Sequence, residues 1–93
     1  MQTPSSTFVL PDVLDLKAAG PLLAELTALR GQDLELDAGR VQRLGGQCLQ
    51  VLLAASAAWK QDGAAFVIRQ SSEAFSEGLQ LMGAEARLTP EIA

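Results

Sequence analysis

The spacing of apolar residues switches period repeatedly along this chain, and that alternation limits its possible folds more than any other feature. "DLELD", residues 33–37, alternates strictly and sets Leu34 and Leu36 on one face, as a half-buried strand requires. Just before it, Ala19, Leu22, Leu23, Leu26 and Leu29 recur at three- and four-residue steps, which draws one apolar stripe along a helix. Arg30 and Gly31 suit the end of that helix, by charge and by left-handed conformation. Pro21 is best tolerated in a first turn, so the spacing predicts a helix start near Lys17 or Ala18, with Asp15 as its cap. Upstream, "TFVL" at 7–10 reads as a strand stopped by Pro11, and Val13 with Leu14 as a second, very short one.

Downstream the alternation continues. A loop, "AGRVQRLGG" at 38–46, leads into a helix over 46–61 whose predicted inward side is Leu49, Leu52, Leu53 and Trp59. Asp62 and Gly63 stop it. "AFVIR" at 65–69 has the continuous apolar character of an interior strand covered on both faces. Ser71 or Ser72 then caps a third helix, where Glu73 suits the positive end of the dipole and Phe75, Leu79 and Met82 form the stripe. Gly83 ends it, and "ARL" at 86–88 is expected to add an edge strand before Pro90. Strands alternating with helices through short connections define an α/β fold. The expectation is a mainly parallel or mixed sheet of about four to five strands with about three main helices. We expect one domain over 1–93, with loose termini at 1–6 and 89–93, because halves of a 93-residue chain are too small to bury separate cores.

Composition narrows the functions. With 48% apolar and 19% charged residues the chain is globular in character, not disordered. A formal charge of -4 and seven dispersed Lys and Arg argue against nucleic acid as a partner. The longest nearly uninterrupted apolar run, 51–59, is about half of a membrane span, so no membrane insertion is expected. "MQTPSSTF" lacks the pattern of a secretory signal, which makes the cytoplasm the expected compartment. The chain has no histidine and one cysteine, so the usual metal sites, base-assisted nucleophiles and an internal disulfide are missing. There is no P-loop and no dinucleotide fingerprint. The reading is therefore non-catalytic, with no cofactor.

Parallel sheets bind at the carboxyl ends of their strands, where the 38–47 loop and the following helix start lie. Gly45 and Gly46 at that start either present free N–H groups to an anion, with Arg40 and Arg43 folded over them, or simply make a sharp turn and allow close packing. Cys48 is either a thiol activated by the helix dipole or a small buried hydrophobe. Gln47 and Gln50, three apart, share one exposed face and could meet a partner's backbone without the desolvation cost of a charge. Asp37 reads as a strand-end residue that ties down the loop, and Trp59 as a core filler or cover for the core's edge.

The strand end "LELD", the helix opening "GGQCLQVLLAA" and the leading segment "VLDLKAAGPLLAEL" together resemble the STAS domain, named for sulphate transporters and anti-sigma factor antagonists. That family's signature is an acidic strand end, a loop, then Asp-Ser-Ser-Gly-Leu entering a helix with paired leucines. Here those first four positions fall on Gly45, Gly46, Gln47 and Cys48. The resemblance implies a protein-interaction module that docks through this loop and helix start, with Arg40, Arg43, Gly45, Gly46, Gln47 and Gln50 as partner-binding residues. It also implies a phosphoacceptor hydroxyl where this chain has Gln47. No hydroxyl side chain occurs between positions 38 and 51, and Ser56 lies more than two helical turns on, so a charge-adding switch has no acceptor there. Within the family, the sequence looks most like short bacterial proteins of chemotaxis or similar histidine-kinase signalling systems, which implies a signalling kinase or chemotaxis component as partner. The alternative is the small STAS subunit of bacterial phospholipid-transport ABC ATPases, and a third reading is an anion or nucleotide sensor on Gly45, Gly46 and Cys48.

Overall fold

The computed structural model describes residues 6–84 and Leu88. In chain order the elements are β1 (Ser6–Val9), β2 (Val13–Leu14), α1 (Leu16–Ala28), β3 (Leu34–Ala38), β4 (Arg43–Leu44), α2 (Gly46–Gln61), β5 (Phe66–Ser71) and α3 (Glu73–Leu81). The expected edge strand at 86–88 and the expected loose termini lie outside the described residues, apart from Ser6 and Leu88.

Among the described residues a three-stranded parallel sheet runs in the order β1-β3-β5, and β2 pairs with β4, also in parallel, as a separate two-stranded piece. β3 is central, and its strict alternation is realised: Leu34, Leu36 and Ala38 are all fully buried, at 0% exposure. Both crossovers, β1 to β3 and β3 to β5, step the same way across the sheet. Right-handed connections therefore place α1 and α2 on one face, where they pack on each other. Leu22 and Leu26 from α1, and Leu49, Leu52 and Trp59 from α2, close the core over the sheet. Phe75 and Leu79 add the buried stripe of α3.

Four details depart from the periodicity. α1 begins at Leu16, so Pro21 falls in its second turn, and the bond it cannot donate is owed to the carbonyl of exposed Lys17. Leu23 is 54% exposed, not inward, because it borders a groove where Ala54 and Ala58 of α2 stop short of covering it. Met82 caps α3 as its first non-helical residue and is turned partly outward. β5 lies at an edge of the described sheet: of the apolar run only Ile68 is fully buried, while Phe66 and Val67 are half-buried and Arg69 is exposed. A continuous apolar run does not distinguish two-sided cover from an edge strand whose first ring leans on a neighbour, as Phe66 does on Trp59 at 5.4 Å between centroids.

At the amino ends of the strands the fold is clamped. Trp59 Nε1 donates to the carbonyl of Gln32 at 2.7 Å. Arg30 makes a two-pronged pair with Asp62, Nε to Oδ2 at 2.8 Å and Nη2 to Oδ1 at 3.0 Å. The carboxyl ends are left to short loops, and those build the candidate site.

Candidate functional site

Where the sequence reads as a plain loop, the chain is tied down at every second or third residue. Asp37 Oδ1 accepts from the Gly39 N–H at 2.9 Å, the tether expected of a strand-end aspartate. Val41 is buried, and its carbonyl accepts from the Ser72 hydroxyl, whose oxygen also accepts the Phe75 N–H at 3.0 Å as the cap of α3. The Asp12 carbonyl takes N–H groups from Gln42 (2.6 Å) and Arg43 (3.2 Å), which brings β4 alongside β2. β5 spends three steps, Ile68 to Ser71, where β3 spends two, Leu36 to Ala38, and this bulge sets Ser71 opposite Ala38 and Ser72 just past the end of β3. Ser72 then donates its N–H to the Ala38 carbonyl at 3.1 Å.

β4 delivers the chain to the start of α2. Gly45 donates its N–H to the Leu14 carbonyl at 2.8 Å, and a Cβ on it would stand 3.1 Å from that same oxygen. Glycine at 45 is therefore a packing requirement. Gly46 is different: a Cβ there would meet nothing within 4 Å, and its φ is not positive. Gly45 caps α2 without a side-chain hydrogen bond, leaving the first-turn N–H groups without the oxygen that Ser or Asp would supply.

Cys48 is 0% exposed, and its S–H donates to the Asp15 carbonyl at 3.2 Å. Burial, aided by the charge of Asp15, pushes the thiol above its ordinary pKa, opposite to what a reactive cysteine needs. The activated-thiol reading is thereby set aside. Arg40 is mostly exposed and pairs with Asp12 at 3.5 Å, and Arg43 is exposed beside Val13. Gln47 and Gln50 are both exposed on the first turn of α2, with Cys48 and Leu49 facing in between them. Among the described residues no three metal-ligating side chains gather, and no buried side-chain nitrogen or oxygen lacks a partner.

Two neighbours of this turn escape sequence reasoning. Val13 is 42% exposed and Leu16 is 72% exposed. Leu16 follows Asp15, whose Cα lies 3.8 Å from where a Gly45 Cβ would be and whose carbonyl holds Cys48. Neither carries a periodicity signal, since β2 has only two residues and Leu16 opens its helix beyond the part that covers the sheet.

The family model described as "Mlab, STAS domain" matches residues 3–90. A solved structure from Thermotoga maritima, described as that of a candidate anti-sigma factor antagonist, matches with a TM-score of 0.72 over 98% of this chain and 81% of that one. The two sequences are 14% identical, so the likeness is one of fold. No curated protein matches significantly. The chain belongs to the STAS domain family, and it shares the fold of the Thermotoga maritima protein. No described helix is long and apolar enough to cross a membrane.

Proposed function

We propose that this protein is a non-catalytic interaction module that docks a cytoplasmic bacterial signalling protein, a kinase or a chemotaxis component, through the loop and first turn of α2. The observation that carries this reading is the composition of the surface at that turn. Gln47 and Gln50 are exposed at the start of α2, the exposed apolar residues Val13 and Leu16 flank the Leu14–Asp15 backbone that holds Gly45 and Cys48, and Gly46 leaves the backbone open to approach. Uncharged polar groups next to apolar ones, with arginines at the margin, make a protein-binding face that desolvates cheaply. Arg43, Arg40 and the backbone around Gly45 frame it. With Gln47 at the family's phosphoacceptor position and no hydroxyl side chain between positions 38 and 51, the face is permanently competent and lacks the charge switch that would release a partner.

The test is affinity purification from the native cell with mass spectrometry, comparing the wild type with Gln47→Arg. A bulky charge at 47 is expected to abolish recovery of a signalling kinase or chemotaxis component while thermal stability is unchanged. Recovery of an ABC-type ATPase instead would assign the chain to membrane transport. Equal recovery with both forms would remove this turn as the docking surface.

A further inference from the structure

We infer that Gly78, on α3, is a positioning residue for the α2 turn, acting through Leu44. The inference rests on the reading that this turn docks a partner. A glycine inside a helix is less favourable than alanine, and Gly78 does not have the positive φ that would call for one. The packing accounts for it. A Cβ at 78 would stand 3.1 Å from both Cβ and Cδ2 of Leu44 and 3.5 Å from its Cγ. α3 thus lies directly on β4, and Leu44 has little room to move. On its other side Leu44 is paired with Leu14 and leads into Gly45, which is itself pressed against the Leu14 carbonyl. Two close contacts stand in series: α3 on Leu44, then Gly45 on Leu14. Leu44 is half-buried and covalently adjoins Gly45, so a shift of a few tenths of an ångström at Leu44 is passed along the backbone and against the Leu14 carbonyl to Gly46 and Gln47. α3 holds the same segment at a second point, the Ser72 hydroxyl on the Val41 carbonyl. The helix therefore grips both ends of the 41–44 stretch and sets the height of the docking turn from behind.

The experiment is Gly78→Ala, with Gly20→Ala as its control. Gly20 is also helical, but a Cβ there meets nothing within 4 Å. Both changes favour the helix, and only the first pushes Leu44. In the isolated chain, Gly78→Ala is expected to shift the Gly45, Gly46 and Gln47 amide signals and speed hydrogen exchange at the Gly45 N–H about tenfold, at nearly unchanged melting temperature. Gly20→Ala should leave those amides as they are. Leu44→Ala removes the γ and δ carbons, so adding Gly78→Ala in that background should have at most half its effect on the same amides, a coupling that independent structural damage would not produce. The Leu44→Ala variant alone, expected to loosen Gly45, tests the chain of contacts if Gly78→Ala does not fold. Amide shifts no different from those of Gly20→Ala, or full additivity with Leu44→Ala, overturn the inference. With a partner captured through Gln47 in hand, Gly78→Ala should weaken binding about tenfold. If Gln47→Arg abolishes binding and Gly78→Ala does not, the positioning role falls and the docking reading stands. If neither changes binding, the docking reading itself falls.

Discussion

Gly45 and Gly46 are adjacent and indistinguishable as letters, yet they answer to different physics. The first approaches the Leu14 carbonyl too closely for a side chain, and the second has open space around it. Gly45→Ala should therefore lower stability by about 1–2 kcal/mol, since a backbone oxygen at 3.1 Å from the new Cβ yields less readily than a side chain. Gly46→Ala should leave it unchanged within about 0.5 kcal/mol. Urea unfolding followed by circular dichroism reads both, and equal destabilisation would show that the close approach at 45 is not what matters. Cys48 was legible as a small buried hydrophobe from its place before Leu49, and Gln47 and Gln50 as one exposed face from their three-residue spacing. Val13 and Leu16 were not, because their exposure depends on what does not cover them.

At the scale of elements, local signals worked where they were chemical and failed where they were too short to repeat. The caps illustrate the first case: Asp15 accepts the Ala18 N–H at 3.1 Å, and Ser72 accepts that of Phe75. β4 illustrates the second, since two residues show no period and its pairing with β2 spans thirty positions of sequence, from Val13 to Arg43. Ser72 also has a second role that no cap pattern reveals, its bond to Val41. Removing a cap costs about 1 kcal/mol, and an orphaned buried carbonyl adds about as much again. Ser72→Ala should therefore destabilise by about 2 kcal/mol, against about 1 kcal/mol for Asp15→Ala. Equal losses in urea midpoints would mean that Val41 finds water when Ser72 is gone.

Across the whole molecule, the two ends of the sheet are built differently. The amino ends carry the Arg30–Asp62 pair, with the guanidinium 6.0 Å from the centre of the Trp59 ring. The carboxyl ends carry the backbone ties that shape the first turn of α2, the surface proposed to dock a partner. Hydrogen bonding to Arg30, reinforced by its charge, holds the Asp62 carboxyl below its ordinary pKa. A carboxylate depressed in the folded state contributes fully above its unfolded value, about 4, and that contribution is lost as pH falls through the lower folded value. Both partners reach solvent, so the effect is modest. Wild type should unfold at higher urea than Asp62→Asn at pH 7, and the gap should narrow as pH falls below about 4. A gap that is the same at pH 7 and at acid pH would remove the ion pair as its source.

What the sequence determined by itself is the order and kind of the main elements, the capping residues, the α/β class and the family resemblance. All of these rest on spacing or chemistry within a few neighbouring residues, where helix and strand geometry leave little choice. Only the tertiary structure decided which of two glycines is packed, that a two-residue strand interrupts the 38–46 loop, that β5 lies at an edge of the described sheet, and that Gly78 bears on Leu44. Each of those is a contact between segments far apart in the chain, fixed by how the helices settle on the sheet, and local periodicity carries no information about it.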